Sequence, residues 1–494
     1  MKKTICLSLL IFLYFSSLGL AQNRGDLISS TLVASYDLAG IEDVYEDFGL
    51  TGILAAFFAI DYDSVEIHKL VYWTIDARGE ALIEASGLVT IPVSTDCAFP
   101  VVNYNHGTLR YDAQLSDLNA FAMQHLVGVP FAANGYVMVS PDFLGYGATP
   151  NYHPHAYLHA KSEATAVVDM LRAATVFCET AAIPLSEQLF LSGYSHGGHV
   201  TMAAHRELQE FHAEEFRVVA SAPISGAYDL SGTMRDSILL SDNFSNSFFI
   251  GFSMLSYQFV YGNLYEDLSE VFVSPYDSLI PLMLNREDPQ SDIFDLLPTA
   301  GYQMFQPAYR DAVLNDPEHP VNVAIRDNDV YDWIPQAPTH LYYCESDDVV
   351  PFSIALSTSD HMISLGAEDV TAINVSEEED HQGCAIPSVL FAKVWFDEFR
   401  ESCNTSASTL AFGEAIRIYP NPFTDGIYLD TREILSGSQL DVQVFDYFGR
   451  LVSQLPIRSG ENQFISLQNL PAAIYLVRIS GEKGGITRMI VKGR

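Results

Sequence analysis

The chain predicts an α/β fold, a mostly parallel sheet interrupted by a helical insertion, with a small β-sandwich after it. Three observations carry that prediction. Between residues 70 and 400, short β-rich runs alternate with helical stretches. From about residue 225 to 338 the alternation breaks. Beyond residue 411 only short strands divided by turns remain.

The elements follow in order. Met1-Lys2-Lys3 is basic, Ile5 to Leu20 is apolar, and Gly19-Leu20-Ala21 is a small-residue cleavage pattern, so residues 1–21 are expected to be a signal peptide rather than part of the fold. No later run has the length of a bilayer span; Ile53 to Ile60 is apolar but too brief. Val71 to Ile75 and Ala81 to Ile91 are expected to form an antiparallel pair that turns at Ala77-Arg78-Gly79. Central strands are predicted at 100–104, 136–140, 188–192, 218–222 and 340–344, with 372–375 last, because near-continuous apolar runs of this length suit strands buried on both faces. Lys161 to Cys178 sets Ala164, Val167, Val168, Leu171, Ala174 and Thr175 on one stripe, which predicts an amphipathic helix.

The interval 226–338 is rich in Phe, Tyr, Leu and Met and holds no clear alternating strand. It is read as a helical insertion over the site, since apolar aromatics outside sheet and terminal helix need a surface to cover. A closing helix at 391–399 ends the first domain, taken as 22–403. The small polar residues of 404–411 make a linker. Residues 412–494 then supply short strands at 416–419, 442–445, 464–467, 475–479 and 489–491, a β-sandwich pattern.

Charge and cysteines narrow the function classes. The formal net charge of −37 argues against nucleic acid or an anionic membrane as partner. Residues 411–494 carry 9 Lys/Arg against 8 Asp/Glu, so the acidity lies before them and the tail is a separate module. With Cys6 in the signal, Cys97, Cys178, Cys344, Cys384 and Cys403 remain, and an odd number cannot all pair. Export permits disulfides. Cys344 with Cys384 is the pairing suggested, because both adjoin residues assigned below to one site. No CxxC or zinc spacing appears, and His153, His155 and His159 lack a Cys or carboxylate at ligand spacing, so neither metal nor cofactor is expected.

Gly193-Tyr194-Ser195-His196-Gly197-Gly198 directly follows an apolar strand and precedes a helix-compatible run to Leu208. A strand turning sharply into a helix has no room for side chains two positions either side of the serine, which is what the glycines relieve. Ser195 is therefore the candidate nucleophile. A serine hydroxyl needs a base to take its proton and an acid to orient the base. Glu345-Ser346-Asp347-Asp348 follows a later strand, and His381 follows the next, 34 residues beyond Asp347. Asp347 is assigned as the acid with Asp348 as the alternative, and His381 as the base. His361 is a weaker base because it falls in an expected helix, 351–365. The His196 N–H should face the oxyanion, with a second donor from Gly107 or Thr108 in the loop Asn105-His106-Gly107-Thr108. His106 reads equally well as a buried structural histidine, His199 as a packing residue, and Asp142 as a brace between loops.

These segments, together with Pro141-Asp142-Phe143-Leu144-Gly145-Tyr146-Gly147, resemble the secreted lipase and esterase branch of the α/β-hydrolase superfamily over roughly residues 70 to 400. The resemblance implies carboxylic-ester hydrolysis through an acyl-enzyme, on a small ester or lipid, under a helical lid placed after the sixth strand. It departs at His196, where relatives often carry Gln or Met.

Tyr419-Pro420-Asn421-Pro422-Phe423, Val444-Phe445-Asp446-Tyr447-Phe448-Gly449-Arg450, Leu470-Pro471-Ala472-Ala473-Ile474-Tyr475 and Val491-Lys492 are similar to the C-terminal sorting domain of the type IX secretion system. That implies the secretion machinery as partner, passage through the periplasm and outer membrane, and no part in catalysis. Two other readings stay open. A serine peptidase on small peptides would use the same triad, and a surface binder could retain the scaffold without the chemistry.

Overall fold

The computed structural model describes residues 22–47, 60–95, 97–109, 123–149, 154–242, 247–284, 293, 296–401, 415–434, 437–446, 449–481 and 484–493. The expected signal peptide and the linker 404–411 lie outside them. Nine strands form one sheet in the order β1-β2-β3-β5-β4-β6-β7-β8-β9. The first three, β1 (Leu27–Tyr36), β2 (Val65–Ile75) and β3 (Leu82–Pro92), are antiparallel, and β3 joins β5 (Val137–Pro141) antiparallel. From β5 onward the sheet is parallel through β4 (Phe99–Asn105), β6 (Leu185–Tyr194), β7 (Arg217–Ile224), β8 (Thr339–Cys344) and β9 (Val370–Ser376).

The opening unit is thus three strands, where two were expected. Strand β1 is an edge strand whose side chains are exposed or half-buried, so it carries no apolar signature and is held by backbone pairing to β2. Every side chain of β4 and β5 is buried, as strands covered on both faces require.

Helices α1 (Leu38–Asp47), α2 (Met123–Ala133), α3 (Ala160–Thr180) and α4 (His196–Phe211) flank this sheet. The predicted stripe of α3 is in place: Ala164, Val167, Val168, Leu171 and Ala174 are buried. After β7 come α5 (Arg235–Leu240), α6 (Ser247–Tyr261), α7 (Tyr276–Leu279), α8 (Pro307–Asn315) and α9 (Pro320–Asp327), with short 3-10 turns between them. Among the described residues the insertion holds no strand, only the isolated bridge Phe272–Phe305. Helix α10 (Ser353–Leu365) ends at Gly366, whose φ of 110° supplies the left-handed cap. The closing helix α11 spans Ala385–Phe396, earlier than expected.

The tail is a sandwich of two antiparallel sheets, β10-β11-β14 and β13-β12-β15-β16. Their ranges are β10 Arg417–Tyr419, β11 Gly426–Asp430, β12 Gln439–Phe445, β13 Leu451–Arg458, β14 Asn462–Ser466, β15 Ile474–Gly481 and β16 Gly484–Val491. Strands β11 and β13 add to those expected. Along β15, Tyr475, Val477 and Ile479 point into the sandwich, while Ile474 and Leu476 join a cluster that contains Val389 and Trp395 of α11. The two-residue period of a strand therefore buries both of its faces, one in each domain.

Candidate active site

The carboxyl ends of the parallel strands bring the candidate residues together, as open α/β sheets do. Ser195 sits between β6 and α4 with φ 59° and ψ −118°. A non-glycine residue holds that left-handed state only where its surroundings over-determine it. Here they are close backbone approaches. A Cβ added to Gly193 would lie 2.4 Å from the Gly197 carbonyl oxygen, one on Gly197 2.0 Å from that of Asn105, and one on Gly198 2.4 Å from that of Ile224. The contacts are with backbone, which cannot swing aside. Gly197→Ala should therefore cost about 2–3 kcal/mol of stability and misplace Ser195. Urea unfolding checks this, and a variant with wild-type stability and turnover would show that the turn has slack.

Asp347 and His381 follow β8 and β9, and with Ser195 they make one relay. His381 Nε2 is 2.8 Å from Ser195 Oγ, and its Nδ1 is 2.8 Å from Asp347 Oδ2 and 2.9 Å from Oδ1. Asp347 Oδ1 also accepts the Val349 and Val350 N–H groups at 3.0 and 2.8 Å, so its carboxylate is fixed before it meets the ring. Asp348 instead accepts the His381 backbone N–H at 3.3 Å and does not bond the ring. The Tyr194 hydroxyl donates to the His381 carbonyl and anchors the loop from the other side. The Cys344–Cys384 disulfide, suggested by position, is present and starts three residues before Asp347 and ends three after His381. Cys178 is a buried free thiol, pushed by burial up to about 12.

The loop after β4 reaches the serine. A Cβ on Gly107 would come within 3.8 Å of Ser195 Cβ, and the Thr108 hydroxyl hydrogen-bonds the Tyr157 hydroxyl at 2.8 Å. His106 is a buried structural ring. Its Nδ1 meets the Gly107 carbonyl at 2.7 Å, it packs against Phe143, and burial, helped by His196 and His155, pushes it down to about 3. Asp142 is buried and accepts from the Ser86 hydroxyl, the brace expected of it. His361 lies on α10 against Asp332, 2.7 Å away and apart from the relay. His199 donates to the Asn328 carbonyl at 2.9 Å.

Ser195 and His196 open onto an apolar cavity walled by the insertion, with Leu230, Met234, Ile238, Phe249 and Met254 among its side chains. Among the described lining residues none is acidic, and Arg235 is the one Lys or Arg. Sequence reasoning missed Tyr157, which lines this cavity and holds Thr108, because nothing local marks a loop tyrosine as a wall.

A nine-stranded, mostly parallel sheet with a serine at a strand-to-helix elbow and an acid and a histidine at later strand ends is an α/β hydrolase. Residues 109–402 match the sequence model of the secretory lipase family, and the chain belongs to that family. Residues 417–493 match the secretion system C-terminal sorting domain.

Among solved structures, the chain is similar to the rice cell wall degrading esterase LipA from Xanthomonas oryzae. The identity is 29%, the TM-score 0.64, and the match covers 75% of this chain and 96% of that one. Candida antarctica lipase A shares the fold, at 17% identity and a TM-score of 0.55, over 77% of this chain and 84% of that one. No curated protein matches the sequence.

The protein is thus an exported lipase or esterase carrying a type IX sorting domain. Among the described residues no helix is long and apolar enough to cross a membrane.

Proposed function

We propose that the chain hydrolyses carboxylic esters with an apolar acyl group through an acyl-enzyme on Ser195, with His381 as base and Asp347 as its orienting acid. The observation that carries this reading is that the Ser195–His381–Asp347 relay opens on an apolar cavity. Ser195 Oγ attacks the ester carbonyl carbon while His381 Nε2 takes its proton. Negative charge builds on the carbonyl oxygen, where the His196 N–H and a Gly107 or Thr108 N–H stabilise it, aided by the N-terminus of α4. His381 then protonates the departing alkoxide, and the acyl group remains on Ser195. Water repeats the sequence: His381 takes its proton, the hydroxide attacks the acyl carbon, and the acid leaves with Ser195 reprotonated.

The cavity also separates ester from peptide. A peptidase that reads a free amine needs a carboxylate in the pocket, and the described lining offers none. The test is a panel of p-nitrophenyl esters of rising acyl length beside aminoacyl anilides. Each methylene that enters the cavity should raise kcat/KM by about three- to fourfold until the space is filled, since burying a CH₂ is worth about 0.8 kcal/mol. Cleavage of the anilides alone would reverse the reading.

A further inference from the structure

Beside the elbow, four buried side chains meet that ester hydrolysis does not use. Glu163, in the first turn of α3, has a side chain 1% exposed, and among the described residues its ion-pair partners are all imidazoles: His155, His196 and His199. Oε1 accepts the Leu158 N–H at 3.0 Å and lies 2.5 Å from His196 Nε2. Oε2 has no hydrogen bond, and His199 Nδ1, 3.6 Å away, has none either.

The backbone decides which nitrogens face the carboxylate. His155 Nδ1 is 2.6 Å from the Leu144 carbonyl oxygen, and His199 Nε2 is 2.9 Å from that of Asn328. A carbonyl only accepts, so each of those nitrogens carries its ring's hydrogen. In the neutral rings, His155 Nε2 and His199 Nδ1 then turn lone pairs toward Glu163, at 3.8 and 3.6 Å. Lone pairs facing a buried carboxylate repel it unless a cation lies among them. A ring hydrogen given to a backbone carbonyl, with the other nitrogen turned inward, is how proteins fix metal-binding imidazoles. The donor atoms of His155, Glu163 and His196 all lie within 4.8 Å of one another. Two ligands of a tetrahedral zinc ion stand about 3.4 Å apart, given bonds of about 2.0–2.1 Å, so modest side-chain rotation closes the set.

We propose that His155, Glu163 and His196 hold one divalent metal ion of the zinc class, with His199 Nδ1 beside Glu163 Oε2 at the edge of the set. Two imidazole nitrogens and a carboxylate, with a fourth position open, are a donor set that suits zinc. The ion takes the place of the hydrogen between His196 Nε2 and Glu163 Oε1, and the neutral ring keeps its one hydrogen on Nδ1. It neutralises a carboxylate that has no Lys or Arg partner among the described residues, and it ties the start of α3 to the elbow helix. His196 and His199 share one face of α4 at a spacing of three, but Glu163 and His155 come from other segments. No spacing in the sequence therefore announces the site. His159, grouped with His155 by proximity in the chain, bonds Ser162 instead, and His153 lies outside the described residues.

The experiment is elemental analysis of the full chain, produced in zinc-supplemented medium and purified without a chelating resin. About one zinc per chain should survive dialysis against EDTA. Glu163→Gln and His155→Gln should each retain roughly a tenth or less, while Ser195→Ala keeps the metal and loses only hydrolysis. Should either variant fail to fold, anomalous scattering from wild-type crystals at the zinc edge locates the ion. Wild-type protein without zinc, zinc kept by both variants, or an anomalous peak elsewhere would each overturn the site and leave the Ser195 chemistry untouched.

Discussion

Ser195→Ala should lower ester turnover by at least about 10⁴-fold while leaving the melting temperature close to wild type. The size follows from what the hydroxyl does: without it no acyl-enzyme forms, and only binding and oxyanion stabilisation remain to assist water. Stability should hold because the substitution removes one 2.8 Å hydrogen bond to His381 and leaves the glycines that shape the turn in place. A fluorophosphonate probe gives a second readout, labelling the wild type and not the variant. Equal labelling of both, or a variant that keeps most of its turnover, would remove Ser195 from the chemistry.

Asp347→Asn should cost about 10³- to 10⁴-fold in kcat, while Asp348→Asn stays within about threefold. The two residues are neighbours and differ in what they hold. Both Asp347 oxygens lie within 2.9 Å of His381 Nδ1, so in the proposed mechanism the carboxylate would fix the tautomer that leaves Nε2 free to accept a proton and would stabilise the imidazolium that follows. An amide at that position offers a hydrogen to Nδ1 and favours the wrong tautomer. Asp348 accepts the His381 backbone N–H, at 3.3 Å, and an asparagine oxygen can accept that hydrogen as well. Steady-state kinetics on one ester decides between them, and the opposite ranking would transfer the acid to Asp348.

Legibility in the chain followed burial and backbone geometry. Strands β4 to β7 could be read because residues covered on both faces form apolar runs, and Ser195 because the elbow needs glycine at fixed offsets. Strand β1 could not, since its side chains are largely outside the core and only its hydrogen bonds make it a strand. Helix α2 was also missed. Its apolar residues show no polar face, Pro130 lies within it, and Gly128 is there because a Cβ would stand 2.7 Å from the Thr90 hydroxyl. In the candidate site, chain order alone pointed to Asp347 and His381, which the fold brings beside Ser195. It did not point to Glu163, which looks like one more charge at a helix start, and only the fold gives it three imidazoles for neighbours.

The Cys344–Cys384 bond has a bearing on how long such an enzyme lasts. It closes a loop over a sequence separation of 40 that contains α10, β9 and both partners of Ser195. Closing a loop of that size removes about 4 kcal/mol of freedom from the opened chain. A protein sent beyond the outer membrane has no chaperone to reset a frayed segment, and each opening there risks proteolysis. A covalent belt around Asp347 and His381, the proposed acid and base, makes this edge of the sheet slow to open and quick to reclose, which suits an enzyme that must work unattended in its surroundings.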